Sequence, residues 1–304
     1  MSKTTYTIRM GVDLGGTKTE VIALSQDGDV LLRERVDSAK GEYSKTLSMI
    51  EGLVKHVEQS LKESVSVGIG TPGAVSPATG LIKNSNSTWL NGKPLHKDLE
   101  RVLRRPVRIA NDANCFVLSE AVDGAAKDYN VVFGVIIGTG TGGGITVNKQ
   151  ILVGANAIAG EWGHNALPWP GAGEVPGPAC YCGKKGCIET FLSGPGLVND
   201  YNAMTGFNLQ AEDIVAQAEQ GDIDCDNTLK RYERRLAKSL AAVINILDPD
   251  AIVLGGGLSN IARLYQNVPS LWESYVFSDA VATKLLKAMH GDSSGVRGAA
   301  WLWS

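Results

Sequence analysis

One pattern occurs twice in this chain and restricts its fold more than any bulk property does. Residues 8–24 (IRMGVDLGGTKTEVIAL) and 131–147 (VVFGVIIGTGTGGGITV) each read as an apolar strand, a glycine turn and a second strand. A weak internal repeat of this kind is one that a duplicated, hairpin-led domain produces. Other segments supply the remaining layers. A strand (DVLLRERV) and a helix over 43–63 follow the first hairpin, then SVSVGIGTPGAVSP, a strand running into a Gly/Pro turn. VRIANDANCFVLSEA is a short strand that delivers Asn111 and Asp112 to a helix start. In RYERRLAKSLAAVINIL, Leu236, Leu240, Val243, Ile244 and Leu247 share one helical face, stopped by Asp248-Pro249. AIVL is a buried strand ending in Gly255-Gly256-Gly257, and SSGVRGAAWLW is a terminal helix. Helices alternating with strands make an α/β protein.

The 304 residues suffice for two domains, and a hydrophobic fraction of 43% fills real cores. A net charge of −3 offers no basic field for a nucleic acid or a membrane surface. Arg101, Arg104 and Arg105 read as a solvated helix face. MSKTTYTIRM lacks the apolar stretch of a secretory leader, and no run approaches the ~20 apolar residues of a membrane span. A cytoplasmic location is therefore expected, where structural disulfides are rare; the odd count of five cysteines agrees.

Glycine turns after strands let backbone N–H groups approach an anion with no Cβ in the way. Three such turns, two with threonine hydroxyls and one with a lysine, favour nucleotide binding, although any one alone reads equally as an ordinary hairpin turn. Gly138, Gly140 and Gly143 match G-x-G-x-x-G, but a strand (ITV) follows where a dinucleotide site needs a helix. Counting a P-loop from Gly11 puts Thr17 where its lysine belongs. Two hairpin turns gripping phosphates remain, with Asp13 placed to organise a hydrated magnesium ion. Asp112 is the candidate base that takes the proton of an attacking hydroxyl; the competing reading of Asn111-Asp112 is a helix N-cap.

Residues 180–189 (CYCGKKGCIE) concentrate three of the five cysteines. His164, Cys180, Cys182 and Cys187 form one nitrogen and three sulfur ligands, a set that suits tetrahedral structural zinc; the alternative is free thiols beside a surface histidine. A closed zinc site folds its loop and holds Glu161 and Glu189 for recognition. Cys115 and Cys225 read as small buried hydrophobes. Residues 167–180 (LPWPGAGEVPGPAC) form a Pro/Gly-rich loop without an assigned role.

DLGGTK (13–18), GTGTGGG (138–144), GEWGH (160–164) and CYCGKKGCIE (180–189) together resemble the ROK family (repressors, open reading frames, kinases) of bacterial sugar kinases, in the family's order and over nearly the whole chain. The resemblance implies an actin/hexokinase-like (ribonuclease H-like) fold of two domains about a cleft. The expected spans are 1–118 with 291–304 for the small domain and 119–290 for the large one. It implies transfer of the ATP γ-phosphate to a sugar hydroxyl, with magnesium, and a homodimer. It makes Asp112 the general base, and gives Asn111, Glu161, His164 and Glu189 to the sugar's hydroxyls, with His164 also on zinc. Gly15, Gly16, Thr17 and Lys18 map onto one phosphate segment, Thr139, Gly140 and Gly142 onto the other, and Gly256 and Gly257 onto the adenosine side.

NSTWLNG, ANDANC, EAVDGAA and HGDSSGVRGAAWLW look most like the family's fructokinases, also called manno(fructo)kinases. Conversion of D-fructose to fructose 6-phosphate is thus the expected reaction, with mannose a second substrate and Asn84 or Asn86 as sugar contacts. N-acetylglucosamine kinases and glucokinases share the motifs and form the alternative. The family also holds sugar-responsive repressors. Their winged-helix domain precedes the sugar module, and DLGGTK begins here at Asp13.

Overall fold

The computed structural model describes residues 6–304. The first five, within the segment expected to carry no leader, lie outside the described residues. The chain runs through β1 (Ile8–Leu14), β2 (Lys18–Leu24), β3 (Val30–Asp37), α1 (Tyr43–Leu61), β4 (Val65–Thr71), β5 (Ala74–Val75), β6 (Ile82–Lys83), α2 (Leu95–Leu103), β7 (Val107–Asn111) and α3 (Asp112–Val122). It continues through β8 (Val131–Ile137), β9 (Thr141–Val147), β10 (Gln150–Ile151), α4 (Glu189–Leu192), α5 (Gly194–Thr205) and α6 (Ala211–Glu219). Last come α7 (Ile223–Leu247), β11 (Ala251–Gly255), α8 (Leu264–Trp272), β12 (Lys284–Lys287) and α9 (Ser294–Trp301). Both glycine-turn hairpins, the 43–63 helix and the terminal helix are present. The helix expected over 231–247 begins earlier, at Ile223, because Asp222 caps it by accepting a hydrogen bond from Cys225 N at 2.8 Å.

The chain divides into two compact units. The first is Met1–Asp128 with Gly144–Ala159 and Asp292–Ser304; the second is Tyr129–Gly143 with Gly160–Gly291. Residues 119–128 and 144–159 thus group with the first unit. The reason is local: α3 is one continuous helix, and Gly144 lies so close to its start that a Cβ would stand 2.7 Å from the Ala113 carbonyl oxygen.

In the first unit the sheet order is β3-β2-β1-β4-β7, with β1, β4 and β7 parallel and β1, β2 and β3 antiparallel. Alternation along β2 builds two cores. Val21 and Ala23 join Ile50, Val54 and Leu99 of α1 and α2, whereas Ile22 and Leu24 join Leu118, Val296 and Trp301 of α3, α9 and its end. Period two therefore turns Gly11 and Asp13 of β1 away from Val12 and toward α3 and α9. Helix α9 packs directly on the strand backbone: a Cβ on Gly11 would lie 2.1 Å from Val296 O. Arg105 departs from the solvated face expected of it. It is half-buried, and its guanidinium donates to Glu58 at 2.6 Å and to Val65 O at 2.9 Å.

In the second unit β8, β11 and β12 are parallel. Helix α7 buries Leu236, Leu240 and Ile244, as its periodicity predicts, with Val243 and Leu247 half-buried. It also buries two cations, Arg235 and Lys238. Arg235 donates to Glu174 (2.6 Å) and Asp200 (2.8 Å), and Lys238 donates to Glu174 (3.1 Å) and Trp169 O (2.8 Å). Residues 167–179 are thereby moored on α7. Burial pushes the Glu174 carboxyl upward, but the bonds from Arg235, the Gly171 backbone and Lys238 outweigh it and hold the group down at about 2.

Candidate active site

The first unit carries the turn between β1 and β2. Ser38 fastens it by donating from Oγ to Gly15 O at 2.7 Å, and its own N–H donates to Thr17 O at 3.0 Å. Lys18 leaves the turn and pairs with Asp37, which is exposed. Asp13, at the end of β1, is the perturbed group here. Burial, then the charges of Asp112 and Glu20, raise its carboxyl to about 7 against a weaker opposing pull from Arg35. Buried Cys115 lies against the same carboxylate, and the Asp13 charge helps burial push its thiol upward.

Asn111 and Asp112 stand where β7 hands over to α3. Asn111 does cap the helix: its Oδ1 accepts from Asn114 N at 3.0 Å. Its Nδ2 also donates to Asp112 Oδ1 at 2.8 Å, an oxygen that accepts from Ala113 N at 2.8 Å too. Two donors to one oxygen orient the exposed Asp112 carboxylate. In the loop of 84–92, Asn91 grips Ser85 through both its backbone groups at 2.9 Å, and exposed Asn84 and Asn86 have no bonding partner among the described residues.

The second unit carries the turn between β8 and β9, held by three anchors. Gly194 N donates to Gly138 O at 2.7 Å, Trp162 Nε1 to Gly142 O at 3.0 Å, and Thr141 N to Glu189 Oε2 at 3.0 Å. A cavity of about 660 Å³ opens beside the turn, lined by Gly138, Thr139, Gly257 and the side chains of Val198, Glu212 and Ile261 among others. Gly256 turns the chain into that wall with φ of 81°, a conformation glycine adopts without strain. The volume suits a nucleoside. Gly256 and Gly257 were legible as a glycine turn, but Val198, Glu212 and Ile261 were not. The start of α6 carries only an ordinary acidic first turn.

Below the turn, the four metal-ligand candidates converge: their ligand atoms all lie within 4.8 Å of one another. Cys180 Sγ is 3.6 Å from His164 Nδ1, and Cys182 Sγ is 3.6 Å from Cys187 Sγ. Tetrahedral zinc with Zn–S bonds of about 2.3 Å needs ligand separations of about 3.8 Å, so the donors fit that ion. All five cysteines are free of disulfides. The loop is otherwise closed by backbone: Leu167 N donates to Gly186 O at 2.9 Å and Ile188 N to Asn165 O at 2.8 Å. His164 Nε2 meets the Tyr181 hydroxyl at 3.0 Å, so its second nitrogen faces away from the cysteine sulfurs. Glu161 is exposed beside this knuckle, and Glu189 follows it at the start of α4.

Known proteins place this arrangement. The ROK family model matches residues 9–304, and the chain belongs to the ROK family. An N-acetyl-D-glucosamine kinase of Vibrio atlanticus (strain LGP32) is 40% identical, covering 96% of this chain and 98% of its own. One from Vibrio cholerae serotype O1 is 39% identical over the same shares. Among solved structures, a ROK hexokinase from Thermus thermophilus superposes with a TM-score of 0.84 at 26% identity, covering 96% of each chain. A ROK family glucokinase from Streptomyces griseus, solved with glucose and AMPPNP, gives 0.76 at 26% identity, covering 97% and 98%. The fold is thus the α/β, two-domain, hexokinase-like one, and the chain is an ATP-dependent sugar kinase. Fructose as its particular substrate does not follow from these relatives. No helix among the described residues is long and apolar enough to cross a membrane.

Proposed function

We propose that the chain transfers the γ-phosphoryl group of ATP to a hydroxyl of N-acetyl-D-glucosamine. The end-to-end identity of 40% with an N-acetyl-D-glucosamine kinase carries this choice of sugar. In this reading the cavity of the second unit takes the nucleoside, and Thr139, Gly140 and Gly142 take its phosphates with Gly15, Gly16, Thr17 and Lys18. Magnesium, organised by Asp13, supplies neutralisation of the charge on the transferring group. Asp112 removes the proton as the sugar oxygen bonds to phosphorus; the bridging P–O bond breaks and ADP leaves. Asn111, Glu161, His164 and Glu189 accept from or donate to the sugar's hydroxyls. A site that pairs every hydroxyl rejects isomers that leave one unpaired. Zinc on His164, Cys180, Cys182 and Cys187 supplies folding energy to the loop between Glu161 and Glu189. The reading includes a homodimer and a cytoplasmic location.

Fructose is the second reading, with mannose beside it. The likeness of NSTWLNG to fructokinases favours it, as do the exposed amides of Asn84 and Asn86 in that loop. The test is ADP release from MgATP with the pure protein across N-acetylglucosamine, fructose, mannose, glucose and N-acetylmannosamine, as kcat/KM. N-acetylglucosamine leading supports the first reading, and fructose leading replaces it with the second. No stimulation by any sugar refutes the kinase reading itself.

A further inference from the structure

We infer that Glu189 is a positioning residue of the donor site, and that through it the sugar site and the phosphate turn act as one unit. The inference deepens the proposed function and rests on its assignment of Glu189 to the sugar. Glu189 emerges two residues after Cys187, and the first turn of its helix is pinned by Thr190, whose N and Oγ1 donate to Cys187 O at 2.9 and 2.7 Å. From that fixed base its Oε2 accepts from Thr141 N at 3.0 Å, 48 positions away in the chain. The same oxygen lies where a side chain on Gly140 would have to go: a Cβ there would stand 2.8 Å from it. A methyl at 140 would therefore push the carboxylate aside, while the backbone there is one that alanine adopts.

Of the three anchors on the turn, Trp162 and Gly194 are neutral donors, and only Glu189 is charged. A charge-assisted bond to a backbone N–H is stronger than a neutral one and sets the direction of the peptide it holds. Oε2 is committed to the turn, which leaves Oε1 for a sugar hydroxyl. A sugar held on Oε1 fixes the carboxylate against Thr141; a correctly formed turn in return holds the carboxylate for the sugar. Linkage makes such a coupling equal in both directions. The zinc knuckle thereby supports the donor phosphates as well as the acceptor.

Calorimetry on the full chain tests both directions with one ligand at a time. MgADP is titrated without sugar into wild type, Glu189→Ala and Glu161→Ala. Each variant removes one carboxylate, so relief of repulsion with the phosphates is matched, but only Glu189→Ala releases Thr141. Glu189→Ala should bind MgADP about tenfold more weakly than Glu161→Ala, the low end for a lost charge-assisted bond. The preferred sugar is then titrated without nucleotide into Gly140→Ala, a donor-turn variant with an unstrained backbone. Its affinity should fall several-fold through displacement of Glu189. Equal MgADP affinities in the two alanine variants, or wild-type sugar affinity in Gly140→Ala, would overturn the coupling and leave the kinase reading standing. No MgADP binding by wild type would remove both.

Discussion

Asp13→Asn should stabilise this protein, and the gain should appear only as the pH rises. Asp13 is a half-buried carboxyl raised from 3.8 to about 7 by burial, by Asp112 and by Glu20, with Arg35 opposing weakly. The folded-state value exceeds the unfolded one, so below pH 3.8 the group is neutral in both states and costs nothing. The penalty for carrying the charge grows as pH rises from there and is complete above about 7. At about 1.4 kcal/mol per tenfold change in acid constant, the ionised form costs about 4 kcal/mol; allowing for screening at a partly exposed site leaves about 2–4 kcal/mol. Asparagine keeps the shape and removes the charge. Its melting temperature should exceed wild type by about 5–10 °C at pH 8 and converge with it toward pH 4.5. Thermal unfolding followed by circular dichroism across that range reads the difference. A gain independent of pH, or a loss at pH 8, would refute the account of Asp13 as a strained anion. Turnover should fall in the same variant, because the proposed function gives the Asp13 charge to magnesium.

Three other perturbations bear on separate parts of the molecule. Asp112→Asn should lower kcat by about 10²–10⁴ while sugar affinity by calorimetry stays near wild type; substantial remaining turnover would remove Asp112 from the base role. Freshly purified protein should contain one zinc per chain, and Cys182→Ser should lower both zinc content and melting temperature. A zinc-free wild type would end the scaffold role of the knuckle. Arg235→Ala takes one cation from half-buried Glu174 and Asp200, leaving them Lys238 and Arg231, and should cost about 1.5–3 kcal/mol, with faster proteolysis within residues 167–179. An unchanged melting temperature would show the loop to be held otherwise.

The Cys/His cluster, the two hairpins and the place of Asp112 are legible in the sequence because each depends on residues close together in the chain. Glycine turns declare their backbone, alternation on β2 declares two faces, and a run with three cysteines declares that its thiols lie together. At Asn111-Asp112 the helix-cap reading holds and leaves the Asp112 carboxylate exposed: Asn111 caps α3 and orients Asp112 at once. The cavity wall at Val198, Glu212 and Ile261 gave no signal, since apolar and acidic residues at helix starts look alike whether or not a ligand lies beside them. Residues 167–179 read as loop and nothing more, because their moorings Arg235 and Lys238 sit on a helix far along the chain.

By itself the sequence determined the α/β class, the glycine turns, the candidate metal-ligand cluster and the ROK family, all of them carried by short motifs. Tertiary structure alone decided the charge state of Asp13, the bond from Thr141 to Glu189 and the cavity beside the second turn. Those properties are sums over contacts between segments distant in the chain. Burial and Coulomb interaction act through space, and the spacing of motifs along a chain does not record them.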